Sequence, residues 1–191
     1  MTQDQIMELF KQKGVLLQGH FHLSSGRHAE YYLQCAKIFQ YPQETERLAR
    51  QLAAQFAAEE ISVVAGPAIG AIILAYEVAR ACGVRSIFGE RENGVMTFRR
   101  GFELSKKDRV LVVEDVITTG GSTKELIQTV KESGATVVGV GSLVDRSGGK
   151  VQFGMPFKPL MSLEIHSYMP EDCPLCAAGT EAVKPGSKKS L

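Results

Sequence analysis

The spacing of hydrophobic residues changes repeatedly along the chain between that of a strand and that of a helix. Strands are predicted for short β-branched runs at 61–65, 84–88, 110–113 and 136–144. Helices are predicted where apolar residues recur every three or four positions, over 43–59, 69–81 and 123–133. The alternation predicts right-handed βαβ units, and therefore an α/β fold with a central parallel sheet flanked by helices. Because 110–113 is apolar at every position, it is the expected central strand, buried on both faces.

The segments outside this alternation are shorter and more polar. Residues 2–13 predict an amphipathic helix that Thr2 and Gln5 begin as a capping box. Residues 20–41 predict strands and turns, 89–107 a polar loop, and 182–191 a loose tail. Without an internal repeat or a second apolar block, 1–191 is interpreted as a single domain.

Charge and hydropathy then limit the function classes. A net charge of +1 gives no general attraction to nucleic acid or to an anionic membrane, so neither is expected as a partner. The first residues lack the apolar stretch of a signal peptide, and the longest apolar run, 68–76, is too short to cross a bilayer. The expected location is the cytoplasm.

Two of the four cysteines, Cys173 and Cys176, have the spacing of a metal knuckle. A structural zinc site normally needs four ligands, and His166 is the only nearby candidate for a third. The four histidines show no metal-binding spacing in the sequence and are interpreted as structural or incidental. We therefore interpret the two cysteines as a reduced pair, with zinc binding or a redox role as alternatives.

The most informative segment is 110–123, where a buried strand ends in two adjacent carboxylates, Glu114 and Asp115. Threonines and glycines follow, and then a helix begins. Backbone N–H groups at a helix start, helped by hydroxyls, bind phosphate, whereas carboxylates suit sugar hydroxyls or hydrated magnesium. The pattern indicates a ligand with a phosphate next to a diol, such as ribose 5-phosphate. An ordinary βα turn with solvated acids is the alternative.

Other nucleotide-binding motifs are missing from the sequence. It has no Gly-Lys-Ser/Thr of an ATPase phosphate loop and no GxGxxG after a strand. Segment 110–123 instead resembles the phosphoribosyl diphosphate signature of the type I phosphoribosyltransferases. Residues 21–27 with Tyr31 and Tyr32, together with 66–70 and 144–149, resemble the branch of that family that uses orotate.

The resemblance implies a type I phosphoribosyltransferase fold, with a small hood formed by about 1–42 and a C-terminal segment over a core of about 43–160. It implies transfer of a phosphoribosyl group from phosphoribosyl diphosphate to orotate, giving orotidine 5′-phosphate and diphosphate on the route to UMP. It also implies a homodimer with shared active sites, and Mg²⁺ bound mainly through substrate and water rather than by direct protein ligands. A purine or other base transferase, or a regulator that senses phosphoribosyl diphosphate, remains the alternative on the same fold.

The resemblance also assigns expected roles. Glu114 and Asp115 would hold the ribose hydroxyls and act in catalysis. The phosphoribosyl diphosphate would be bound by these two acids and by Val116, Ile117, Thr118, Thr119, Gly120, Gly121 and Ser122. Orotate would be bound by Thr118, Arg146, Tyr31 and Tyr32, because a carboxylate favours a bidentate guanidinium and a planar base favours an aromatic ring.

Cationic side chains are harder to assign. Arg91, Arg99 and Arg100 lie within 89–103, which the resemblance implies closes over the active site of the neighbouring subunit; a solvated loop neutralised by its own glutamates is the alternative. Some family members have lysines where this chain has Gly70 and Ser24. Stabilisation of the diphosphate is therefore expected from magnesium, the backbone of 66–70, the three arginines or a different lysine.

Overall fold

The main body of the molecule is a mostly parallel sheet. A computed structural model describes residues 1–23 and 25–184 of the chain. Its larger sheet has six strands in the order β5-β4-β3-β6-β7-β8, and only the β4–β5 pair is antiparallel. The strands are β3 Val63–Pro67, β4 Arg85–Glu92, β5 Val95–Phe98, β6 Arg109–Ile117, β7 Thr136–Asp145 and β8 Phe157–Ser162. This arrangement confirms the predicted α/β fold.

Helices cover both faces of this sheet, because the side chains of β6 alternate between two apolar clusters. Leu111 and Val113 face the cluster that includes residues of α2 and α3, whereas Val110 and Val112 face the cluster under α4. The helices are α2 Pro42–Ala54, α3 Ile72–Cys82 and α4 Gly121–Glu132. The prediction of a central strand buried on both faces is confirmed.

A second, three-stranded antiparallel sheet is built from both ends of the described chain. Its order is β1-β2-β9, and we call this sheet with the first helix the hood. Its elements are α1 Gln3–Gln12, β1 Leu16–His22, β2 His28–Leu33 and β9 Ser167–Tyr168, followed by the short helix α5 Pro174–Ala177. The capping box is confirmed, since Gln5 N donates to Thr2 Oγ1 at 3.3 Å and Thr2 N donates to Gln5 Oε1 at 2.9 Å.

Of the three strands missed in the sequence (β5, β8 and β9), two belong to the larger sheet. The predicted polar loop 89–107 contains a hairpin, because β4 continues to Glu92 and pairs with β5 across a turn at Asn93 and Gly94, which both have positive φ. A two-residue turn with positive φ at both positions matches the right-handed twist of the two strands that it joins. The other is β8, an edge strand that contains Pro159. Proline is tolerated at an edge, but it weakens the strand signal in the sequence.

The last described residues pair with the hood. Val183 N donates to His20 O, and His22 N donates to Val183 O, both at 2.9 Å. The predicted loose tail 182–191 is therefore anchored at Val183, and residues 185–191 lie outside the described part. Within 1–23 and 25–184, no helix combines the length and apolar character needed to cross a membrane.

Candidate active site

Two adjacent carboxylates mark the carboxyl edge of β6, between the loops that follow β3 and β7. Glu114 and Asp115 are half-buried there. Thr123 Oγ1 donates to Glu114 Oε2 at 3.5 Å, and Val116 N donates to Asp115 Oδ1 at 2.8 Å. In open α/β sheets, ligands bind at the carboxyl edge of the strands. The preferred place is between two neighbouring strands whose following connections leave toward opposite faces of the sheet.

Burial is the main influence on the ionisation of this pair. It raises the pKa of Glu114, and the neighbouring Asp115 carboxylate raises that pKa further. Burial also raises the pKa of Asp115. No lysine or arginine in the described part of the chain forms an ion pair with either acid. The pair is therefore available to a positively charged group of a ligand.

The loop after β6 forms a small polar cavity of about 90 Å³ at the start of α4. Its lining comprises Glu114, Val116, Ile117, Thr118, Thr119, Gly120, Gly121, Ser122 and Thr123. Gly120 has φ 71°, and a Cβ there would come within 2.9 Å of Val151, so both the backbone conformation and the space require glycine. The first N–H groups of α4 have no partner within the helix, and they are available to an anion.

The turn after β3 approaches the same carboxylates. A Cβ on Gly70 would lie 3.2 Å from Asp115 Oδ2, so the backbone of 68–71 is close to the acid pair. The turn is open to solvent at Ile69, whose side chain is exposed. Because this backbone lies so near the acid pair, a ligand held by the acids would bring a second group within reach of the turn. Ser24, the other position where some family members carry lysine, lies outside the described residues.

Arg146 follows β7 and is held by its backbone, because Arg146 N donates to Ile117 O at 2.7 Å. Burial lowers the pKa of its guanidinium. Its buried Nε has no hydrogen-bond acceptor among the described residues. The adjacent Asp145 does not pair with it, since the Asp145 carboxylate accepts from Ser147 N at 2.8 Å. The arrangement leaves a partly desolvated cation oriented for an external anion.

The hood contributes one tyrosine to the neighbourhood of Arg146. Successive residues of a strand point to opposite faces, and Tyr31 and Tyr32 have different neighbours. Tyr31 packs against the main apolar cluster, whereas Tyr32 lies near enough to raise the pKa of Arg146 electrostatically. We therefore assign the contact with a planar base to Tyr32 and place Tyr31 in the hood packing.

Cys35 is a site neighbour that the sequence analysis did not select. Burial raises the pKa of its thiol; Asp115 raises it further, and Arg146 opposes the shift. The buried Cys35 thiol therefore lies near both the acid pair and the guanidinium. An isolated cysteine between Gln34 and Ala36 carries no signal of this kind in the sequence.

The three arginines of the β4–β5 hairpin are not equivalent. Arg91 Nη2 donates to Ser122 Oγ at 3.2 Å and pairs with Glu125 at 2.8 Å, so it contacts the phosphate loop of its own chain. Arg99 pairs with Glu92, and Arg100 pairs with Glu90, each at 3.1 Å. These two exposed side chains are held by glutamates of the hairpin itself.

Known proteins share this arrangement. The family model described as phosphoribosyl transferase domain matches residues 36–175. The orotate phosphoribosyltransferase of Pelotomaculum thermopropionicum is 58% identical over 99% of this chain and 100% of its own length, and that of Caldanaerobacter subterraneus subsp. tengcongensis is 57% identical over the same shares. The crystal structure of Mycobacterium tuberculosis H37Rv orotate phosphoribosyltransferase aligns with a TM-score of 0.71 at 26% identity, covering 84% of this chain and 96% of that one. The chain therefore belongs to the phosphoribosyl transferase family, within its orotate phosphoribosyltransferase branch.

Proposed function

We propose that this protein transfers the phosphoribosyl group of 5-phosphoribosyl 1-diphosphate to orotate, releasing diphosphate and orotidine 5′-phosphate for UMP synthesis. One observation carries the choice of orotate: Arg146, a partly buried guanidinium without a protein acceptor at Nε, follows β7 at the same edge of the sheet as the acid pair that would hold the ribose. Family membership supports the phosphoribosyl chemistry, and the site supports the division of roles that follows.

The 5-phosphate binds in the cavity formed by 118–122. The N–H groups at the start of α4 and the hydroxyls of this loop supply donors, and Arg91 adds positive charge next to Ser122. Because the cavity is small and polar, it accepts a phosphate and excludes a base. This places the ribose ring toward Glu114 and Asp115.

The acid pair acts on the ribose. Breaking the bond between C1 and the diphosphate develops positive charge on the ring, and ionised Glu114 and Asp115 stabilise that charge without a covalent intermediate. Burial raises the pKa of both acids, so binding of a cationic group favours release of the proton that they otherwise retain. A positive charge bound nearby therefore favours the ionised form of the acid pair, and the ionised pair in turn stabilises that charge.

A magnesium ion fits this donor set. Carboxylate oxygens are preferred Mg²⁺ ligands, and Glu114 and Asp115 lack a cationic partner in the described ranges, so they would hold the ion through its water shell. When bound, Mg²⁺ offsets the negative charge of the diphosphate. The backbone of the turn at Gly70, which lies against Asp115, contributes N–H donors to the same end of the ligand.

Orotate binds between Arg146 and the hood. Its carboxylate pairs with the Arg146 guanidinium, which is planar and offers parallel donors. Tyr32 packs against the flat ring, and Thr118, at the start of the phosphate loop, is exposed toward the base. A purine has no carboxylate, so it would leave a half-buried cation unpaired, and this disfavours the purine alternative.

The assembly and location belong to the same proposal. Arg99 and Arg100 are exposed and, among the described residues, pair with glutamates rather than with the loop after β6 of their own chain, so they are available to the site of a second subunit in a homodimer. The near-neutral net charge of +1 gives no support to a nucleic-acid-binding regulator. The proposed location is the cytoplasm.

The test is a base-competition assay. The chain is mixed with phosphoribosyl diphosphate, Mg²⁺ and equal amounts of orotate, adenine and hypoxanthine, and each base and nucleotide is quantified. We expect orotate to be consumed with equal formation of orotidine 5′-phosphate and diphosphate, and no turnover when magnesium is omitted. Consumption of a purine in preference to orotate would refute the substrate assignment.

A further inference from the structure

A second cluster of reactive side chains lies outside the active site, between the hood sheet and α5. It contains His20 of β1, His28 of β2, and Cys173 and Cys176 at the start and within the turn of α5. One ligand atom from each residue lies within 4.8 Å of all the others. The two cysteines are free, as the sequence analysis expected of a reduced pair, but the histidines that folding brings to them are His20 and His28 rather than His166.

The separations within the cluster are close to those of a tetrahedral metal site. His20 Nε2 lies 2.9 Å from His28 Nδ1 and 3.5 Å from Cys173 Sγ, and Cys176 Sγ lies 3.3 Å from His28 Nδ1. Zinc bonds of about 2.0–2.1 Å to nitrogen and about 2.3 Å to sulfur give ligand–ligand edges of roughly 3.3–3.8 Å. Small side-chain adjustments are therefore enough to coordinate an ion.

Hydrogen bonding determines which ring nitrogen of His20 carries the proton and which one presents a lone pair to the cluster. His20 Nδ1 lies 3.0 Å from Thr180 O and 2.9 Å from Thr180 Oγ1. The Thr180 hydroxyl proton is used by Leu175 O at 2.8 Å, so both threonine oxygens act as acceptors toward His20. Nδ1 therefore carries the proton, and Nε2 presents its lone pair to His28 and the two sulfurs. Such an outer hydrogen bond is typical of metal-binding histidines.

The ligand set selects the metal and its role. Two thiolates and two imidazoles in a tetrahedral arrangement favour zinc over magnesium or calcium, which prefer oxygen. All four positions are supplied by protein, which leaves no open position for water or substrate, as in structural sites. Cys173, His20 and His28 are buried, so the cluster is part of the packing rather than a surface patch.

We propose that His20, His28, Cys173 and Cys176 bind one structural Zn²⁺, which fixes the C-terminal segment to the hood. The ion joins α5 to the paired strands β1 and β2, which contact the C-terminal segment through short pairings of His28 with Tyr168 and of Phe21 with Val183. Because β2 also carries Tyr32, the ion holds the strand that faces Arg146. Zinc binding is independent of the proposed reaction and is measured without it.

The test begins with the metal content of the full chain, purified under reducing conditions without chelator. We expect about one zinc per chain by atomic emission. His28→Ala and Cys176→Ser should each lower the zinc content at least tenfold. The matched controls are His166→Ala and Cys82→Ser, which change the same residue types outside the cluster and should keep the zinc of the parent.

A second measurement guards against variants that fail to fold. The parent chain is stripped of metal, reduced and titrated with Co²⁺ alone, which gives visible bands and thiolate charge-transfer absorption only in a tetrahedral sulfur-containing site. We expect saturation at about one equivalent and displacement by Zn²⁺. Absence of these bands in protein whose circular dichroism is unchanged, or full zinc retention in both ligand variants, would overturn the proposal.

Discussion

Replacing Asp115 by asparagine should abolish most of the activity and at the same time stabilise the ligand-free protein. The substitution keeps the size of the side chain and the acceptor that Val116 N uses at 2.8 Å. It removes one of two adjacent carboxylates that the fold holds close together and half-buried. Neither carboxylate has a cationic partner among the described residues. The same negative charge that favours the developing cation on the ribose destabilises the free enzyme, so the two effects should appear together.

The size of the stability gain follows from the ionisation of Glu114. Burial and then Asp115 raise its pKa from 4.5 to about 8. At 1.36 kcal/mol for each pKa unit, the full shift corresponds to at most about 5 kcal/mol. Burial is the larger cause and remains in the variant, so we assign about 1–2 kcal/mol to the removed carboxylate. For a chain of this size, the melting temperature should rise by roughly 2–8 °C.

The gain in stability of the variant over the parent should increase with pH. A carboxyl whose folded pKa is raised contributes stability below its unfolded pKa and loses that contribution as pH rises through the folded value. The advantage of Asp115→Asn should therefore be small near about pH 5 and grow toward about pH 8. Thermal unfolding of both proteins without ligand or magnesium measures it, and turnover of orotate should fall about 100-fold or more.

The matched control is Asp4→Asn, which removes an exposed carboxylate from the first turn of α1 and should give no gain at any pH. Equal melting temperatures for Asp115→Asn and the parent at about pH 8, or a gain that does not change with pH, would show that the acid pair is not repulsive. Near-normal turnover would separately refute its role in the reaction.

Two further predictions concern the arginines. Arg146→Ala should weaken orotate binding by about 2–5 kcal/mol, raising its KM by ~30-fold or more, while the affinity for phosphoribosyl diphosphate stays nearly constant; equal losses for both ligands would contradict the assignment. If both parents are inactive and subunits exchange, mixing a double variant Arg99→Ala and Arg100→Ala with Asp115→Asn should restore roughly a quarter of the parent activity, because half of the dimers then have one complete site. Arg91→Ala mixed with Asp115→Asn should restore none, since Arg91 contacts Ser122 of its own chain; recovery there, or none in the first mixture, would reverse the cis and trans assignments.

The central part of the site could be predicted from the sequence because its chemistry is local. Glu114, Asp115 and the phosphate loop are consecutive, and the apolar run before them places them at the end of a buried strand. Arg146 follows the next strand, so the parallel sheet brings it to the same edge. The order of elements was therefore enough to assemble these groups.

Features that depend on distant contacts could not be predicted. The β4–β5 hairpin was missed because charged residues mask the strand period over 89–98, although Asn93 and Gly94 are a hairpin signal. The ligands of the proposed zinc site are contributed by opposite ends of the chain, and no spacing rule connects His20 and His28 with the cysteines. The distinction between Tyr31 and Tyr32 required the strand register, because a shift of one residue exchanges their faces.

The construction of the hood has a consequence for synthesis of the chain on the ribosome. Strands β3 to β8, which carry the acid pair, the phosphate loop and Arg146, are complete once residue 162 has been made. The hood sheet acquires β9 from 167–168 and its backbone pairing with Val183 only later. Domains fold during synthesis as their segments emerge, so a nascent chain can form its phosphate loop while β2 still lacks β9 and β1 still lacks its pairing with Val183. The orotate end of the site is therefore the last part to become complete.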